Sequence, residues 1–157
     1  MQVKMKKNDD LQTPTWVIDQ LGLIDLDPCA GLHTRVAITN WAIERGENGL
    51  SREWYGFVFC NPPFSQKGMW IQRMVNHKNG ILMLPERGSS PWFGHVAQRA
   101  GHYWVMGRKI NFVGGASSNN VGTVLFLFGK EARRRVINSQ LPGHLVEVTH
   151  YRPRPTF

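Results

Sequence analysis

The residues best suited to chemistry in this chain are Asn61-Pro62-Pro63-Phe64. Two successive prolines fix φ twice and remove two backbone donors, while every carbonyl stays free to accept. The asparagine adds a side-chain carbonyl acceptor and the phenylalanine a flat π face. Together they make a rigid cup for a planar group that carries an NH2. The same dipeptides also serve as plain turns, so position matters. An apolar, β-prone run, Phe57-Val58-Phe59-Cys60, leads straight into the cup, and a helix-compatible stretch begins near Gln66. In open α/β sheets the ligand crevice lies outside the carboxyl ends of the strands.

The remaining elements must hold that cup. Thr13 can cap a first helix with Pro14 at its first position and Gly22 as its stop; Trp16, Val17, Ile18 and Leu21 give it an apolar face. Residues 23–27 read as the first strand, ended by Pro28, and Cys29-Ala30-Gly31 are small enough to let a ligand approach the backbone. Val36-Ala37-Ile38 suggests a short second strand. The helix from Gln66 to His77 places Met69, Trp70 and Met74 at core spacing. Residues 80–84 form a buried strand, and Ser90 caps a helix with Pro91 first and Gly101 after its end. Strands are expected at 102–106, 110–113, 122–128 and, as an edge, 145–151, with a basic helix at 131–137. Trp54 and Tyr55 are expected to pack. The Gly/Ser/Asn-rich stretch 114–120 suits a mobile loop. If the first strand and the motif strand are neighbours, Cys29 and Cys60 share one rim as free thiols.

Composition narrows the setting. The 157 residues suit one domain with a real core, with 41% apolar content. No apolar run approaches the length of a membrane span. The polar start, Met1 to Asp10, has no secretory h-region. Two distant cysteines give neither zinc spacing nor a disulfide framework, which points to a reducing cytoplasm. The six histidines are scattered without ligand spacing, so no metal is expected. Lys plus Arg total 19 against 11 acids, a net charge of +8 and a pI near 10.0, a bias toward a polyanion.

The tetrapeptide resembles the catalytic motif of amino-group methyltransferases that use S-adenosylmethionine. From about Thr13 to Gly129 the chain resembles the phage-type DNA N6-adenine methyltransferases. The points of likeness are Thr13-Pro14, Asp27-Pro28-Cys29-Ala30, Asn48-Gly49-Leu50 with Trp54, and the tetrapeptide itself. They continue with Pro85 and Arg87, Trp92-Phe93, and Gly107-Arg108-Lys109 with Phe112. The tetrapeptide alone is shared with cytosine-N4, RNA and protein-glutamine methyltransferases; the ordered set narrows the likeness to DNA adenine.

The resemblance implies a Rossmann-like methyltransferase fold, a mostly parallel twisted sheet with helices on both faces, spanning residues 11–151. A flexible tail (1–10) would precede it and a basic Pro-rich tail (152–157) follow it. It implies S-adenosylmethionine bound by Thr13, Pro14, Asp27, Pro28, Cys29, Ala30, Glu44 and Asn48, with Asp27 on the methionine ammonium, Glu44 as a candidate for the ribose diol and Asn48, beside Glu47, near the cofactor adenine. Catalysis would rest on Asn61, Pro62, Pro63 and Phe64. The Asn61 side-chain oxygen and the Pro62 carbonyl would hold an exocyclic amine nearer sp3, by orientation and electrostatics with no general base. Phe64 would stack on a base extruded from double-stranded DNA. Lys67, Arg87, Arg108 and Lys109 are candidates for phosphate contacts. The Arg133-Arg134-Arg135 run is expected to face away from the active rim. The setting would be a bacterial or phage-infected cytoplasm. The alternatives are the same chemistry on cytosine N4 or RNA, or an inactive basic DNA-binding module.

Overall fold

The computed structural model describes residues 12–112 and 121–156. The expected tail at 1–10 and the loop at 114–120 lie outside the described residues. In chain order the elements are α1 (Thr15–Ile18), β1 (Leu26–Asp27), β2 (Thr39–Asn40), β3 (Val58–Cys60), α2 (Lys67–His77), β4 (Gly80–Pro85), α3 (Pro91–Ala100), β5 (His102–Met106), β6 (Thr123–Phe128), α4 (Lys130–Ile137) and β7 (Gly143–Glu147). Short 3-10 turns stand at Ile43–Arg45 and Phe64–Gln66.

The strands form one seven-stranded sheet in the order β2-β1-β3-β4-β6-β5-β7. β2, β1, β3 and β4 pair in parallel. β6 runs antiparallel between β4 and β5, and β7 is antiparallel to β5 at the edge. β5 therefore points the same way as β1 to β4, and the carboxyl ends of all five meet one rim. Five of the seven strands share a direction, in line with the expected mostly parallel sheet, while β6 and β7 run against them and make it mixed.

Burial explains why the central strands read as continuous apolar runs. Every residue of β3 and β6 is buried, as expected for strands covered on both faces. Their side chains alternate between two layers. Val58, Cys60, Leu82, Leu84, Val124 and Phe126 pack with Trp70, Ile71 and Met74 of α2 and with Phe93 and Val96 of α3. Phe59, Ile81, Met83, Leu125 and Leu127 pack with Val17 of α1 and with Ala132 and Val136 of α4. Helices thus cover both faces. Each such side chain contributes about 1.5–3 kcal/mol on leaving water. Among the described residues no helix is long and apolar enough to cross a membrane.

Several expectations are corrected. α1 starts at Thr15, Pro14 takes the N-cap position with no side-chain cap bond, and the Thr13 side chain is bonded elsewhere. The first strand shortens to Leu26–Asp27. The second strand lies at Thr39–Asn40 because Val36 and Ala37 are held in a turn. Asn40 Oδ1 accepts from both of their N–H groups, and Asn40 Nδ2 donates to Ala37 O at 2.7 Å. Ser90 occupies the α3 N-cap position without a side-chain cap bond. Met69 is 42% exposed, one position off the buried stripe of Trp70, Ile71 and Met74, and Tyr55 is also exposed. The described Ile110 to Phe112 form no strand, and the edge strand runs Gly143–Glu147 instead of 145–151.

Candidate active site

β3 delivers Asn61 to the carboxyl rim of the sheet. Its Nδ2 donates to Thr13 Oγ1 at 3.1 Å. The Thr13 hydroxyl in turn donates to Met83 Sδ at 3.9 Å. With its proton directed at the sulfur, Thr13 offers Asn61 a lone pair, and this fixes which end of the Asn61 amide is nitrogen. Thr13 is buried, and its hydroxyl is held against Asn61, a contact that the N-cap reading missed. Pro62 and Pro63 are buried beside it.

Phe64 projects from this base, 37% exposed. Its ring meets Trp92 edge to face, centroids 5.9 Å apart. Lys67 Nζ sits 4.3 Å from the Phe64 centroid and 5.6 Å from that of Trp92, within the range of a cation–π contact. Arg87, Arg108 and Lys109 are exposed on the loops after β4 and β5, hence on the same rim as Asn61. The Arg108 guanidinium lies 4.6 Å from the Trp16 ring centroid.

The Arg133 cluster is placed differently. α4 follows β6, which runs toward the opposite rim. Arg134 pairs with Glu131 at 2.6 Å. Arg135 pairs with Glu131 at 2.8 Å, donates to the carbonyls of Leu21 and Leu23, and lies 3.9 Å from the Phe57 ring centroid. The two arginine pairings hold the Glu131 carboxyl down at about 2.

A cleft opens between the loop after β1 and the start of α2. Pro28, Cys29 and Ala30 line one side, Asn48, Gly49 and Leu50 another, and Pro63, Gln66 and Trp70 a third. The cup and the small-residue stretch therefore share one cavity through Pro63. Gly49 lets the walls meet: a Cβ there would lie 2.0 Å from Pro28 O. Asn48 Oδ1 accepts from Leu50 N at 3.0 Å and Trp54 Nε1 donates to Gly49 O at 2.8 Å, so this loop is tightly fixed. Of the expected cofactor residues, Pro28, Cys29, Ala30 and Asn48 line the cleft. Thr13, Pro14 and Asp27 do not, and Glu44 is exposed on the 3-10 turn at Ile43–Arg45. Gln66 and Trp70, not singled out from sequence as ligand residues, do line it. Their spacing of four at the start of α2 was the available signal.

Asp27 is buried at the end of β1, its Oδ1 accepting from Cys29 N at 3.1 Å. Burial raises its pKa from 3.8 to about 7, against the hydrogen bonds from Cys29, which lower it. Cys29 and Cys60 are free, with their Sγ atoms 3.1 Å apart, so the two strands are neighbours as the shared-rim expectation required. Burial pushes both thiols up. Among the described residues no group of three or more His, Cys, Asp or Glu side chains is arranged to hold a metal.

A polar-aromatic tetrapeptide at a strand end, a cleft shared with it and a basic rim stand together at the carboxyl edge of an α/β sheet. Residues 1–144 match the family model described as DNA N-6-adenine-methyltransferase (Dam). The match spans most of the chain, which therefore belongs to this family and is a DNA adenine-N6 methyltransferase. No curated protein and no solved structure matches it.

Proposed function

We propose that the chain transfers a methyl group from S-adenosylmethionine to the N6 amine of an adenine flipped out of double-stranded DNA. The observation that carries this reading is the adjacency of the cup and the small-residue cleft through Pro63. Residues 11–151 act as the methyltransferase domain, with the five co-directional strands as its Rossmann-like half. The cleft fits the cofactor in chemistry: it is mostly aliphatic and aromatic, it has close backbone approach at Gly49, and a buried carboxyl at Asp27 ends the adjoining strand. When bound, the cofactor supplies an electrophilic sulfonium methyl.

The chain's own residues do the rest. Thr13 orients the Asn61 amide, so that the Asn61 carbonyl and the Pro62 carbonyl accept from the two amine hydrogens. That localises the nitrogen lone pair without removing a proton in advance. The Phe64 face stacks on the extruded base, and base stacking returns about 1–3 kcal/mol of the extrusion cost. Lys67, now over that face, swings toward a phosphate when the base arrives. Arg87, Arg108 and Lys109 hold the backbone.

The test is transfer of labelled methyl to unmethylated double-stranded DNA, followed by nucleoside analysis, with Asn61→Ala as control. N6-methyladenine from the wild type and a 10²–10³-fold loss in the variant are expected. N4-methylcytosine as product, equal transfer to RNA, or no transfer would each overturn the reading.

A further inference from the structure

Two buried polar atoms on residues of the cleft wall have no partner: Gln66 Oε1, an acceptor, and Trp70 Nε1, a donor. Both residues line the cavity. Gln66 ends the 3-10 turn that begins at Phe64 and stands at the N-cap of α2, and Trp70 lies four residues on, in the first turn of that helix. Trp70 is 6% exposed. Its ring stacks on Trp54, centroids 6.3 Å apart, and the two indoles differ in one respect. The Trp54 N–H is spent on Gly49 O; the Trp70 N–H is not spent. A buried polar group left unmade is costly, and native structures keep few of them.

An orphan acceptor and an orphan donor on residues of one cleft wall ask for the reverse pair on the ligand, a donor and an acceptor on one edge. Aliphatic walls at Ile43, Leu50 and Pro63 ask for that ligand to be flat and apolar on its faces. An aminopurine presents its exocyclic amine beside a ring nitrogen. We propose that Gln66 and Trp70 are the specificity residues for an adenine ring. The exocyclic amine donates to Gln66 Oε1, a ring nitrogen accepts from Trp70 Nε1, and the ring belongs to the nucleoside of the cofactor. This rests on the cofactor reading above. The tetrapeptide cup, on the other side of Pro63, is left for the target base.

The test uses the unreactive product S-adenosylhomocysteine and two readouts other than turnover. In the first, the indole N–H resonance of Trp70, assigned by its absence in Trp70→Phe, is followed by NMR. Titration with S-adenosylhomocysteine should move it downfield as the hydrogen bond forms. The second is calorimetric affinity for S-adenosylhomocysteine and for the same conjugate of purine riboside, which lacks the 6-amino group. The wild type should prefer the adenine ligand about tenfold, the scale of one neutral hydrogen bond. Gln66→Leu should cut that preference to less than about threefold. Binding with an unmoved Trp70 resonance, or an unchanged preference in Gln66→Leu, would overturn the proposal while leaving the cofactor reading intact. No binding by the wild type would sink the cofactor reading itself. A Trp70 shift on adding an adenine-containing oligonucleotide, but not S-adenosylhomocysteine, would assign the cleft to the target base and overturn the source proposed here.

Discussion

Asp27→Asn tests whether the carboxyl at the end of β1 is held in a dry site. Burial lifts its pKa from 3.8 to about 7, while in the unfolded chain it titrates near the ordinary value. Below about pH 4 both states carry the proton. Between about 4 and 7 the unfolded chain has lost a proton that the folded chain keeps, so this group makes stability fall as pH rises. Above about 7 both are ionised and the loss is complete. A displacement from 3.8 to about 7 corresponds to about 4 kcal/mol. Asparagine cannot ionise, yet it keeps a carbonyl for the Cys29 N–H that now bonds Asp27 Oδ1. The unfolding free energy of the variant minus that of wild type, from urea titrations between pH 4 and 8.5, should therefore climb by up to about 4 kcal/mol in favour of the variant. S-adenosylhomocysteine at saturation should shrink the climb, because an ammonium near the carboxylate favours its charged form. A difference that stays flat within about 1 kcal/mol would show that the carboxylate ionises without penalty, and the dry-site argument would fail.

Asn61→Ala should raise the methyl-transfer barrier by about 2–4 kcal/mol with cofactor affinity little changed; single-turnover rates beside calorimetry decide it. Thr13→Val keeps the shape but removes the lone pair that orients the Asn61 amide, so turnover should fall about tenfold with a loss of about 1 kcal/mol in stability, and an unaffected rate would detach Thr13 from the site. Gly49→Ala should drive the 48–50 loop off Pro28, since its Cβ would fall 2.0 Å from the Pro28 oxygen; cofactor affinity should drop at least tenfold, and an unchanged affinity would remove this cleft from cofactor binding. Replacing Arg108 and Lys109 by alanine should flatten the dependence of DNA affinity on salt by nearly two units, about 0.9 per phosphate contact. Arg135→Ala should instead cost about 2 kcal/mol of stability through the lost bonds to the Leu21 and Leu23 carbonyls and leave the salt slope alone. The reverse pattern would put DNA on the other face.

Much of the sheet was readable because its strands are buried on both sides and so are apolar without interruption. β4, β5 and β6 fall within a residue of their expected limits. Short edge elements were less legible. β2 is displaced by a side-chain clasp from Asn40 that no periodicity announces, and Met69 shares the hydrophobicity of its buried neighbours while pointing at water. The direction of β6 was not legible: the run at 122–128 reads the same whether it continues a parallel sheet or inserts against it. The strand-end placement of the tetrapeptide and of Cys29 was legible because the apolar runs before them end in turn-forming or small residues. Thr13 was misread because a threonine before proline signals a cap locally, whereas its hydroxyl bonds residues 48 and 70 positions away. Gln66 and Trp70 were passed over because a tryptophan at core spacing looks fully occupied; only three dimensions reveal an indole N–H with nothing to bond.

The insertion of β6 between β4 and β5 has a consequence for synthesis. β4 is complete once residue 85 has been made, and β3 covers one of its edges, but its other edge pairs only with Thr123–Phe128. Until the ribosome has released those residues, an emerging chain carries an open ladder along a strand buried from Gly80 to Leu84. Such an edge is a template for joining another chain. A premature stop between residues 86 and 122 should therefore yield a fragment that aggregates, with methyl transfer absent even though the tetrapeptide is already present. Occupation of this interior slot late in translation makes the final quarter of the chain the lock that closes the sheet.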